Sequence, residues 1–227
     1  MDKPDPILAR NCGQIILNES VFAESLGLLA DRDTHLALVL EKYGRPPLWV
    51  REPGFPALVY IILEQQVSLA SARAAYLRLQ QAVNPLTPGG FRELTDRELR
   101  RIGFSRQKTL YTRLLADEIT MRRLDLTKLQ SLSDREAHSR LTALKGIGTW
   151  TADIYLLSAL RRPDIWPVGD LALAAAVQEV KRLRNRPSPE NLEKMSAPWR
   201  PYRAVAARLF WHAYLSKRGQ NTPPISP

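Results

Sequence analysis

Two glycines separated by one apolar residue, Gly146-Ile147-Gly148, lie inside the stretch Leu144-Lys145-Gly146-Ile147-Gly148-Thr149-Trp150-Thr151-Ala152, with helical patterning on both sides. Glycine takes positive φ without steric cost, so this spacing predicts a tight hairpin between two helices. Such a hairpin turns N–H groups outward at the start of its second helix, where the helix dipole also favours negative charge. The turn is thus a candidate phosphate grip. Trp150 follows on the second helix, and Pro167-Val168-Gly169-Asp170 then delivers a single carboxylate. A backbone anchor, an aromatic surface and one acid suggest chemistry on a nucleic acid base.

Charge points the same way. Lys and Arg outnumber Asp and Glu by 33 to 23, and residues 51–227 hold 28 of those bases and 16 of the acids. An excess of that size implies a polyanionic partner. One cysteine, Cys12, excludes an internal disulfide, a four-cysteine zinc site and an Fe-S cluster held by four cysteines. The three histidines, His35, His138 and His212, are too scattered for a local metal motif. Neither a signal peptide nor a membrane-spanning run is evident, so an intracellular protein with no membrane partner is expected.

No segment alternates as strands do, and the chain reads as all-α, with about ten short helices. An N-terminal arm over 1–19 leads into helices over 20–29 and 34–43, and Phe55 to Val83 is a long apolar helical region. Gln65-Gln66-Val67-Ser68 interrupts that region, with Ser68 placed to cap a second helix. Paired glutamines at a helix junction can hydrogen-bond bases or fill a gap in a stack; a solvated helix end is the plainer account. Residues 84–90 read as a loop. Thr95 with Glu98 and Ser133 with Glu136 form capping boxes, and Gly103 stops the first of these helices. In the helix after Ser105, Leu110, Leu114 and Ile119 predict an inward stripe, while Arg106, Lys108 and Arg113 supply positive charge. The second hairpin helix spans 149–160, a further helix 171–183 ends in the basic run 181–186, and a last helix runs through Tyr214 before a flexible tail over 216–227. A basic run is ordinarily a solvated face.

Asp170 has a plain explanation, since Gly-Asp before an apolar helix is what an N-cap looks like. That role is compatible with catalysis, because the positive helix end favours the anion, and a fixed anion beside a base can stabilise a cationic transition state or orient water. Asp153 and Asp164 are the rival carboxylates; the first is expected to face away from Trp150, the second to order its loop.

The hairpin followed by Pro167-Val168-Gly169-Asp170 resembles the helix-hairpin-helix, Gly/Pro-rich loop and catalytic Asp (HhH-GPD) of the DNA glycosylase superfamily named for them. Within it the chain is most similar to the 3-methyladenine DNA glycosylase II (alkylbase) family. Ile62 to Ser68, Gly103 to Lys108, and Trp199-Arg200-Pro201-Tyr202-Arg203 leading to Trp211 agree as well, so the likeness spans roughly residues 35–215. It implies a two-lobed helical fold over 20–215 with an active-site cleft between the lobes. It makes Asp170 catalytic and puts Trp150, Trp211, Ile154 and Tyr155 at the base pocket, with core packing as the competing account of each tryptophan. Gly146, Gly148, Thr149, Lys145, Gln65 and Gln66 would contact DNA, Gln66 as the wedge filling the gap left by a flipped nucleotide. The carbonyls of Thr142, Leu144 and Ile147 would hold a structural monovalent cation, Na+ or K+; no other cofactor is implied.

Bifunctional members of the superfamily carry a lysine where this chain has Trp150, and that amine forms a Schiff base with the sugar. Lys145 lies on the wrong side of the turn to replace it. The resemblance therefore implies a monomeric, monofunctional enzyme that acts on double-stranded DNA, hydrolyses the N-glycosidic bond of alkylated bases and leaves an abasic site, without lyase activity. Some relatives have a pocket aromatic where this chain has Ile154, and here the wedge is polar, so a more open pocket is expected. Two other readings remain: a non-catalytic helix-hairpin-helix DNA-binding protein, and a glycosylase for deaminated or mismatched bases.

Overall fold

The computed structural model describes Ile7 and residues 15–220. Most of the N-terminal arm, Cys12 and the tail from 221 lie outside the described residues. Among those described there is no strand, and twelve α-helices and two short 3-10 segments carry the fold. No helix among the described residues is long and apolar enough to cross a membrane.

The chain divides into two compact units. One takes its described residues from Ile7, 15–49 and 161–220, with α1 (Glu19–Arg32), α2 (Thr34–Tyr43), α10 (Leu171–Val180), α11 (Pro189–Ser196) and α12 (Arg203–Lys217). Its centre is α12, where every residue from Ala204 to Phe210 is buried. A helix apolar nearly all round must be enclosed on all sides, and α1, α2 and α10 pack against it. Trp166, Trp199 and Phe210 form one aromatic cluster, with ring centroids 5.0–6.2 Å apart. Asp33 fastens the unit's other side. It caps α2 through the N–H of His35 at 3.0 Å, and its second oxygen accepts from Lys181 Nζ at 2.5 Å and Trp199 Nε1 at 2.8 Å.

The other unit, residues 50–160, contains α3 (Phe55–Glu64), α4 (Leu69–Ala82), α5 (Pro88–Glu93), α6 (Asp96–Ile102), α7 (Arg106–Thr120), α8 (Asp134–Thr142) and α9 (Thr149–Ser158). Here α3 is the enclosed helix, buried at every position but Pro56, and α4, α7 and α9 surround it. Glu64 survives in that setting because Arg51 meets both its oxygens, at 2.7 and 2.8 Å.

Several boundaries and faces depart from the sequence reading. Residues 88–90, expected in a loop, instead open a helix over Pro88–Glu93, started by Thr87, whose hydroxyl accepts the N–H of Gly90 at 3.1 Å. Because α5 packs on α7, the buried stripe of α7 is Thr112, Leu115 and Ala116, small enough for close approach. Leu110, assigned to the core from spacing, is instead 45% exposed. The basic run follows α10, which ends at Val180, and α12 continues through Lys217, past the expected start of the flexible tail.

Candidate functional site

The hairpin forms where the sequence puts it. α8 starts at a complete capping box, with Ser133 Oγ accepting the N–H of Glu136 and Glu136 Oε2 accepting the N–H of Ser133 at 3.0 Å. The turn bends at Gly146, whose φ is +94° and whose missing Cβ would sit 2.1 Å from Cγ of Tyr111. Glycine is required there twice over, by conformation and by packing. Gly148 differs: its φ is −82°, and a Cβ would meet no protein atom within 4 Å. The expectation that both glycines serve the bend is thus corrected; nothing in the fold itself demands the second one.

Gly148 is the N-cap of α9, which begins without a side-chain cap. Asn18, Asp33, Ser68, Thr87, Thr95, Ser105, Ser133, Asp170 and Ser188 each cap a helix with a side-chain oxygen. The hairpin's second helix thus begins at a positive end without a side-chain cap, and Lys145, Gly148 and Thr149 there are exposed. Uncapped amides at a positive helix end suit an anion. Beneath the turn, Ile147 is buried and its N–H donates to the Leu144 carbonyl at 3.1 Å. Carbonyl oxygens such as those of Thr142, Leu144 and Ile147 are the hard donors that a monovalent cation takes.

Trp150 is half-buried on the first turn of α9. Ile154 retains 7% exposure. Tyr155 retains none, and its hydroxyl accepts the N–H of Gly54 at 3.1 Å. Burial pushes that phenol up to about 12. Tyr155 is a core residue, which corrects its placement at an open pocket. Asp153 is buried too, 3.4 Å from His138 across the two hairpin helices.

Gln65 is also reassigned. Its amide nitrogen donates to the Gly146 carbonyl and to Thr151 Oγ1, each at 3.0 Å, so both its N–H bonds are spent on the hairpin rather than held out to DNA. Gln66 is the reverse: exposed, with φ +57°, a conformation costly for a residue with a side chain. Lys108 is not a free surface cation, since its Nζ donates to the Leu63 carbonyl at 2.7 Å and burial pushes its pKa down. Arg113 is held by Asp96 and the Leu94 carbonyl.

In the other unit, Asp170 is the N-cap of α10, its Oδ1 accepting from the N–H of Leu173 at 2.6 Å. The same oxygen accepts from the indole N–H of Trp211 at 3.2 Å. Both residues keep part of their surface. The acid and one of the two tryptophans singled out with it are thus in direct contact, fixed by a helix end and an indole. Asp164 is occupied elsewhere, binding the guanidinium of Arg203 at 2.8 and 2.9 Å, so it orders its loop as expected. Sequence reasoning missed Leu171, directly after Asp170 and 74% exposed. A leucine opening an apolar helix reads as core, and only the helix's orientation reveals otherwise.

A sequence-family profile described as "HhH-GPD superfamily base excision DNA repair protein" matches residues 59–201. The chain is 31% identical over 182 residues to DNA-3-methyladenine glycosylase 1 of Schizosaccharomyces pombe, a match covering 78% of each chain. It is 27% identical to the Bacillus subtilis protein YfjP, provisionally named a DNA-3-methyladenine glycosylase, over 79% of this chain and 66% of that one. In fold it resembles the solved 3-methyladenine DNA glycosylase of S. pombe in complex with abasic DNA, with a TM-score of 0.78 and 24% identity over 90% of this chain and 100% of that one. This chain therefore belongs to the HhH-GPD superfamily of base excision DNA repair proteins, within its 3-methyladenine DNA glycosylase family.

Proposed function

We propose that this protein is a monomeric, monofunctional DNA glycosylase that releases alkylated bases such as 3-methyladenine and 7-methylguanine from double-stranded DNA. The observation that carries this reading is Asp170: a carboxylate whose Oδ1 is fixed by the Leu173 N–H and the Trp211 indole, with no lysine on the hairpin helix at position 150.

Hydrolysis breaks the bond between sugar C1′ and a base nitrogen, and the electron pair leaves with the base. Water supplies the hydroxyl at C1′ and releases its proton to the solvent. A base alkylated at a ring nitrogen can be cationic, so it departs as a neutral molecule with little acid assistance. The remaining demand is to stabilise positive charge developing on the sugar, and a preorganised anion meets it. Asp170 takes that role. Trp150 and Trp211 offer electron-rich faces to a cationic base, worth about 0.5–2 kcal/mol per contact.

The open amide end of α9 takes a backbone phosphate, and the empty space at Gly148 lets that phosphate approach the main chain. A monovalent cation on the carbonyls of Thr142, Leu144 and Ile147 would rigidify the turn. Extruding the base costs about a few kcal/mol, less where damage has weakened pairing. Asp170→Asn tests the reading: base release from methylated duplex should fall by about 100-fold or more, with DNA binding retained. Unchanged release would remove the enzymatic assignment.

A further inference from the structure

The segment joining α3 to α4 has two opposite characters within three residues. Gln65 is turned inward and spends both amide hydrogens on the hairpin. Gln66 is turned outward at φ +57°, and the next apolar side chains, Val67 and Leu69, are 45% and 41% exposed. Neighbouring apolar side chains left in solvent beside a strained backbone are costly in a monomer unless they meet something.

The root of this tip is held from three sides. Lys108 Nζ donates to the Leu63 carbonyl at 2.7 Å, Arg51 grips Glu64, and Gln65 holds the Gly146 carbonyl. The Gly146–Ile147 peptide is in turn fixed at both ends, its carbonyl by Gln65 at 3.0 Å and its N–H by the Leu144 carbonyl at 3.1 Å. One amide therefore connects an exposed tip to the peptide that shapes the phosphate-holding turn.

We propose that Gln65 is a positioning residue that locks an insertion tip, Gln66 with Val67, to the hairpin turn, so that gripping the backbone and filling the space vacated by a flipped base are a single rigid event. This rests on the glycosylase reading above. It extends the tip to an apolar neighbour and gives Gln65 a role that needs no contact with DNA. A planar amide flanked by an apolar branch can replace a lost stacking partner, as wedge side chains do elsewhere.

The test is a double-mutant cycle on the full chain, binding duplexes with one stable abasic-site analogue and matched undamaged duplexes. Gln66→Ala should weaken abasic-site binding about 10-fold in the native background and less than about 2-fold once Gln65→Met is present. Undamaged duplex, which has no gap to fill, should be bound alike with and without Gln66→Ala in either background, whereas a general loss of structure caused by that substitution would weaken both duplexes together. Thr151→Val, which removes one acceptor of Gln65 with little change of shape, serves as the second variant and should reproduce the coupling in weaker form. Losses that simply multiply, in both backgrounds, would overturn the inference. If the unaltered protein released no methylated base, the functional reading would fail first and on its own.

Discussion

Gly146 and Gly148, two positions apart, should answer the same substitution in opposite ways. Gly146→Ala forces a side chain into left-handed backbone, about 1–2 kcal/mol, and drives a methyl into the Tyr111 ring, about 1–3 kcal/mol more. A thermal or urea melt should show that loss. Gly148→Ala has an ordinary φ and open space around it, so stability should stay within about 0.5 kcal/mol of the parent. Its cost should appear in DNA affinity, about tenfold, from blocking one hydrogen bond to a phosphate. Equal DNA affinity for Gly148→Ala and the parent would mean that no phosphate approaches that turn. At this scale the sequence was legible where chemistry fixes a residue's role. Asp170 as a cap and Asp164 as a loop organiser follow from local pattern. Gln65 and Tyr155 were not legible, because the partners that claim their polar atoms, Gly146 and Gly54, are 81 and 101 positions away.

Helix ends carry much of the order, and Asp33 is the most heavily used. Burial opposes ionisation of its carboxyl, but hydrogen bonds from Lys181 and Trp199 more than offset that and hold its pKa below 3.8. Its folded value is the lower one, so the stability it contributes is fully present above pH 3.8 and fades as pH falls through that folded value. Asp33→Asn keeps an oxygen for the α2 cap but loses the ion pair, so at neutral pH it should destabilise the protein by about 1–3 kcal/mol. Acid titration of the two proteins should then show the gap narrowing below pH 3.8; a constant gap would contradict the assignment. Both capping boxes and most helix starts were readable because Ser, Thr and Asp announce them within four residues. The face of α7 was not. Spacing alone favoured its leucines, and the helix that selects Thr112, Leu115 and Ala116 instead is α5, whose Pro-Gly-Gly start reads as loop.

For the whole molecule, the family, the all-α fold and its two-part division follow from motifs spread along much of the chain, whereas the boundaries of the two units have no local sequence mark, since one unit is assembled from both ends of the chain. A net charge of +10 and an uncapped hairpin helix predict that duplex affinity falls roughly 10-fold or more between about 50 and 200 mM salt. A flat response in a filter-binding or anisotropy titration would remove the hairpin from the interface. The most direct test is release of free bases from duplex DNA methylated at several ring positions, resolved by chromatography, for the parent and Asp170→Asn. The account predicts that the parent frees 3-methyladenine and 7-methylguanine and leaves unbroken strands with abasic sites, while the variant binds but releases about 100-fold less. Release undiminished in the variant, or none from the parent, would contradict it.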